Sequence, residues 1–84
     1  MVYLALTPEG LLEAISASNG MSPIWCGAEA ISEEDFSRLA AKDVTRFQHT
    51  ISGPEQPAAI ADALATIREH HPGHRVWVEH APAL

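Results

Sequence analysis

Hydrophobic positions in this chain switch between a period of two and a helical period, and the switches fall at turn residues. VYLALT, residues 2–7, alternates Val2, Leu4 and Leu6 and predicts a strand. Thr7 followed by Pro8 predicts a helix start, with threonine as N-cap and proline at the first helical position. PEGLLEAISAS then sets Leu11, Leu12, Ile15 and Ser18 on one face, and Asn19-Gly20 supplies a left-handed stop. SPIWCG, residues 22–27, predicts a short second strand. Ser32 with Asp35 three residues on forms a variant capping box, and Ile31 and Phe36 have the spacing of a hydrophobic staple. The helix they open carries Phe36, Leu39 and Ala40 and is expected to end near Asp43. VTRFQHTI, residues 44–51, alternates and predicts a third strand. SGPEQP reads as a turn, and AAIADALATIREHH as an alanine-rich helix built on Ile60, Ala63, Leu64 and Ile67. Pro72-Gly73 ends that helix, RVWVEH (75–80) predicts the last strand, and residues 81–84 are expected to be a loose tail.

The predicted order is β-α-β-α-β-α-β within one small domain spanning residues 1–84. Short loops between alternating elements favour right-handed crossovers and a mostly parallel four-stranded sheet of the α/β class. Read as alternating throughout, the strands sort into two faces. Val2, Leu4, Leu6, Ile24, Cys26, Phe47, Ile51, Val76 and Val78 form one, and Tyr3, Ala5, Trp25, Arg46, Gln48, Trp77 and Glu79 the other. A sheet covered on both sides shows near-continuous apolar strands, so alternation favours two layers with helices on one side. The alternative is a doubly wound, three-layer arrangement in which one helix crosses to the second face.

Composition narrows the class. An apolar content of 46% and a charged content of 19% over 84 residues fit a globular chain near the lower size limit for independent folding. A single cysteine excludes an internal disulfide framework and fits a reducing compartment, and MVYLALTPEG lacks a basic, extended apolar leader. A cytoplasmic location is therefore expected. The formal charge of −6 and the scattering of Arg38, Lys42, Arg46, Arg68 and Arg75 argue against direct nucleic-acid binding, which needs clustered bases. Glu29, Glu33, Glu34 and Asp35 form an acidic patch that suits a helix N-terminus or a basic partner.

Candidate chemistry is sparse. Trp25-Cys26-Gly27 resembles the start of the thioredoxin active-site motif, but Ala28 and Glu29 stand where that motif has proline and its second cysteine. The dithiol chemistry is therefore absent. Cys26 shares the predicted inner face with Ile24, which makes it a packed, poorly ionised thiol. His70 and His71 are adjacent on a helix and diverge by about 100°. A metal site, which is not expected, would instead draw on His49, His71, His74 and His80. No phosphate-binding glycine pattern and no serine-nucleophile context occurs, and no cofactor is expected.

What remains is the aromatic face. Tyr3, Trp25 and Trp77, flanked by Arg46, Gln48 and Glu79, predict an interaction surface, because tryptophan, tyrosine and arginine are enriched where binding energy concentrates. The leading expectation is a non-enzymatic protein-interaction module, homodimeric through this face. The alternative is a small acidic inhibitor or accessory factor of a basic protein, such as one in a nucleic-acid-binding complex. A third reading is a thiol- or metal-dependent enzyme using Cys26 or the histidines.

Overall fold

A computed structural model describes residues 1–39 and 43–79. Ala40, Lys42, His80 and the 81–84 tail, named above, lie outside them. Four strands, β1 (Val2–Ala5), β2 (Ile24–Cys26), β3 (Val44–Arg46) and β4 (Val76–Val78), alternate with α1 (Pro8–Ser18), α2 (Glu33–Leu39) and α3 (Gln56–His70). The sheet is wholly parallel, in the order β3-β2-β1-β4. No helix among the described residues is long and apolar enough to cross a membrane. The α/β class and the element order are those read from the sequence. The strands are shorter than expected: β3 stops at Arg46, and α3 starts at Gln56, inside the predicted turn.

The local start and stop signals act as their chemistry dictates. Thr7 Oγ1 accepts from the Gly10 N–H at 3.0 Å, with Pro8 in the first turn of α1, and Asn19 closes the helix at a φ of 49°. Ser32 Oγ accepts from the Asp35 N–H at 3.1 Å and opens α2. Each cap satisfies an N–H that the first helical turn leaves without an internal partner.

Layering follows from crossover handedness. The chain moves outward from β1 to β2 to β3 through α1 and α2, then returns over the whole sheet through α3 to place β4 beside β1. Right-handed connections running in opposite directions require helices on opposite faces. Accordingly, Ala63 and Ile67 of α3 pack with Val2, Leu4, Leu6, Trp25, Phe47 and Ile51. On the other face, Leu11 and Ala14 of α1 pack with Ala5, Ile24, Cys26 and Val44, with Phe36 and Leu39 of α2 against them. The doubly wound, three-layer alternative is therefore the arrangement found, and the favoured two-layer version is not.

The register corrects one strand of the face assignment. Tyr3 lies opposite Ile24, Leu4 opposite Trp25 and Ala5 opposite Cys26. Residues in register share a face, so Ile24 and Cys26 belong with Tyr3, and Trp25 belongs with Leu4. A slip of one residue inverts a whole strand. Three consecutive apolar residues carry no period that could set the phase. Ile67 tests the second layer, because it is fully buried and a sheet covered on one face would leave α3 no such position. Ile67→Ala should lower stability by about 2–5 kcal/mol in urea unfolding, the range for a large aliphatic residue truncated in a core.

Candidate interaction surface

The aromatic trio does not assemble on one face. Trp25 is only 7% exposed, tucked beneath α3 with its ring centroid 5.2 Å from Phe47 and 5.4 Å from His70. Its Nε1 is buried and has no acceptor among the described residues. Arg46 leaves the surface as well: Nε donates to the Ile31 carbonyl at 2.7 Å and an Nη to the Ala28 carbonyl at 3.2 Å, tying the β2–α2 loop to β3. Gln48 is exposed beside Glu33, Glu34 and Phe36, at the opposite end of the sheet from β4.

The structure does bring together Tyr3, Trp77 and Glu79. Tyr3 and Trp77 are register neighbours on β1 and β4, and Trp77 is 53% exposed. They floor an open groove of about 440 Å³ whose wall is α1. Glu9, Glu13 and Ala17 recur along that wall at a spacing of four, the stripe one helical face presents. No lysine, arginine or histidine among the described residues lines the groove. Two of its carboxylates, Glu9 and Glu13, were not anticipated as site residues, although their spacing in PEGLLEAISAS was visible.

Glu79 closes one end of the groove and belongs to the scaffold. Oε1 accepts from the backbone N–H of Leu6 at 2.6 Å and of Thr7 at 2.8 Å, while Oε2 accepts from the Thr7 hydroxyl. A carboxylate at a helix N-terminus meets the positive end of the helix dipole. Gly10 makes this possible, because a Cβ built there would overlap the Glu79 carboxylate.

The other face of β4 is also incompletely covered. Val76 and Val78 are half-buried, and beside them an open depression is lined by Leu64, Arg68, His74 and Arg75. All ion pairs among the described residues involve Arg38, which bonds Glu34 at 2.6 Å and approaches Asp35 at 3.9 Å. The predicted acidic patch is thus partly neutralised on exposed α2. Its fourth member is elsewhere: Glu29 turns inward, where Oε2 accepts from the Ile51 N–H at 2.7 Å.

The thiol and the histidines stand apart from this surface. Cys26 is fully buried, and burial pushes its thiol up from 9.0 to about 11. Nearby Arg46 lowers that value and Glu29 raises it, both by less than burial does. A thiol held neutral is a poor nucleophile. His49 packs on Phe47, while His70 and His71 lie against Trp25. The rings of His71 and His74 are 6.0 Å apart. Among the described residues no three histidine, cysteine or acidic side chains converge as a metal site.

Compared with known proteins, the chain matches no family model, no curated protein and no solved structure.

Two measurements check this geometry. Gly10→Ala should destabilise the fold although alanine ordinarily gains about 1 kcal/mol over glycine within a helix. Glu79→Gln should cost about 1.5–3 kcal/mol, the range for hydrogen bonds to a charged group. A net gain from Gly10→Ala in thermal unfolding would show that Glu79 is not seated there. The second concerns Cys26, whose folded-state pKa lies above that of the unfolded chain. Its contribution is complete below pH 9.0 and is lost as pH rises toward about 11, because the unfolded thiol ionises first. Stability should therefore fall across that window in wild type, and Cys26→Ala should flatten the slope. Thiol reagents should label Cys26 slowly in the native protein and quickly in urea.

Proposed function

We propose that this protein is a non-enzymatic protein-interaction module that works through the β4 edge. The observation that carries the reading is Trp77, more than half exposed beside Tyr3 on the outermost strand of the sheet. An exposed tryptophan next to a tyrosine is the kind of anchor on which binding energy concentrates. An edge strand presents backbone donors and acceptors to an incoming chain. Trp77, Tyr3 and this edge therefore replace the three-stranded aromatic face as the docking surface.

The groove wall supports a statement about the partner. Glu9 and Glu13 offer carboxylates with no base of the groove's own beside them, so the surface suits a partner that brings a cation. The second reading, a small acidic accessory factor acting on a basic protein, uses the same surface and is favoured by the same acids. Both readings need only binding, and neither asks chemistry of Cys26.

The test is retention of a partner from the cells that make the protein, with wild type and Trp77→Asp as paired baits. Trp77→Asp leaves the buried core untouched, so circular dichroism should be unchanged while retention falls at least tenfold. Equal retention by the two folded baits would remove the β4 edge as the interaction surface.

A further inference from the structure

We infer that the partner at the β4 edge is a second copy of this chain, paired antiparallel to β4 about a two-fold axis at Trp77. This rests on the reading of that edge as the docking surface and names its occupant.

The backbone supports it first. The Arg75 carbonyl accepts from the Val2 N–H at 2.8 Å and the Glu79 N–H donates to the Leu4 carbonyl at 2.9 Å, so the odd positions of β4 are spent on β1. Successive residues of a strand aim their peptide groups to opposite sides. The N–H and C=O groups of Val76 and Val78 therefore face outward at the sheet's end, where no further strand lies among the described residues. A two-fold axis at Trp77 sets Val76 opposite Val78 of the second copy, and each such pair exchanges both of its hydrogen bonds.

Charge selects the same register. With Trp77 facing Trp77, Arg75 of each copy stands opposite Glu79 of the other. Arg75 is exposed and has no ion pair among the described residues, and Glu79 closes a groove that holds carboxylates and no base. Arg75 lines the depression on the Val76 side of this edge, so across the axis it would reach around the edge to the Glu79 end of the groove, a cation the groove itself does not hold. Opposite charges directly across an antiparallel pair are favourable. Sliding two residues one way would need the N–H of His74, which is given to the His71 carbonyl. Sliding two residues the other way sets Trp77 against Glu79 and leaves Arg75 without an acid.

The half-covered side chains fit as well: Trp77 would meet Trp77 of the second copy on one face, and Val76 would meet its Val78 on the other. Joining two β4 edges also covers one of the two edge strands that a lone sheet leaves open to uncontrolled pairing.

Sedimentation equilibrium of the purified full chain across a wide micromolar range, with a cross-linking arm, tests the proposal. Wild type should shift from monomer toward dimer mass as concentration rises. Val76→Pro removes an outward N–H at the first residue of an edge strand, where proline is tolerated, and should weaken the dimer at least tenfold with the fold intact. Arg75→Glu should weaken it by a similar factor. In a Cys26→Ala background, Trp77→Cys should oxidise to a covalent dimer, because facing non-hydrogen-bonded residues lie about 4.5 Å apart, within disulfide reach. Arg75→Cys should not, because that position and its symmetry mate would be roughly 14 Å apart at about 3.4 Å per residue. Equal cross-linking at both positions would overturn the register, and an unaltered dimer in Val76→Pro would overturn the use of this edge. A strict monomer whose Trp77→Asp bait still loses a partner would overturn self-pairing and leave the interaction reading standing.

Discussion

The carboxylate of Glu79 is the contact on which the arrangement of this molecule turns. It receives the peptide N–H groups of Leu6 and Thr7 and the Thr7 hydroxyl, while that same hydroxyl oxygen caps Gly10. One acid thereby joins the last strand, the β1–α1 turn and the first helical turn. It sits where the winding of the sheet reverses, between β1 and β4 at their C-terminal ends. In open α/β sheets that crevice is the usual place for an external ligand. Here the protein's own side chain fills it, and the exposed surface moves outward to the flank of β4.

Covering both faces changes what a buried residue implies. Under a two-layer reading Cys26 and Trp25 are alternatives, because adjacent residues of a strand point to opposite faces and one of them must meet solvent. With α3 on one side and α1 and α2 on the other, both are interior. Burial holds the thiol toward its neutral form, and the indole is core. Trp77 is exposed because β4, at the margin, lies beyond the reach of α1 on its side of the sheet.

Local chemistry was legible in the sequence, and long-range pairing was not. Thr7-Pro8, Asn19-Gly20 and Ser32 with Asp35 act over at most four residues, so their caps could be read directly. The apolar continuity of the central strands was also on view in VYLAL and IWC. The alternation that argued for an open face came from the marginal strands, through Arg46, Gln48 and Glu79, and edges alternate even in a doubly wound sheet. The phase of β2 depends on its register against β1, which three apolar residues do not encode. Glu79 looked like a surface acid because its partners lie 72 and 73 residues away. One clue was present: Gly10 stands inside a helix that would favour alanine, and such a glycine signals that something occupies the space of its missing side chain.

The place of β4 in the sheet has a consequence for how the chain is made. β1 is synthesised first and lies inside the finished sheet, yet one of its two neighbours is the last of the four strands to be synthesised. While β4 is still being made, β1 carries an unsatisfied inner border of apolar residues beside a helix whose acidic plug has not arrived. Bringing Glu79 to Leu6 closes a loop of 73 residues, at an entropic cost near 4 kcal/mol beyond the constant for ring closure. Such distant pairing slows folding, and it withholds completion of the fold until nearly the whole domain has emerged. The nascent chain therefore passes through a stage in which its most aggregation-prone border is β1, and the strand that shields it is the one that carries Trp77.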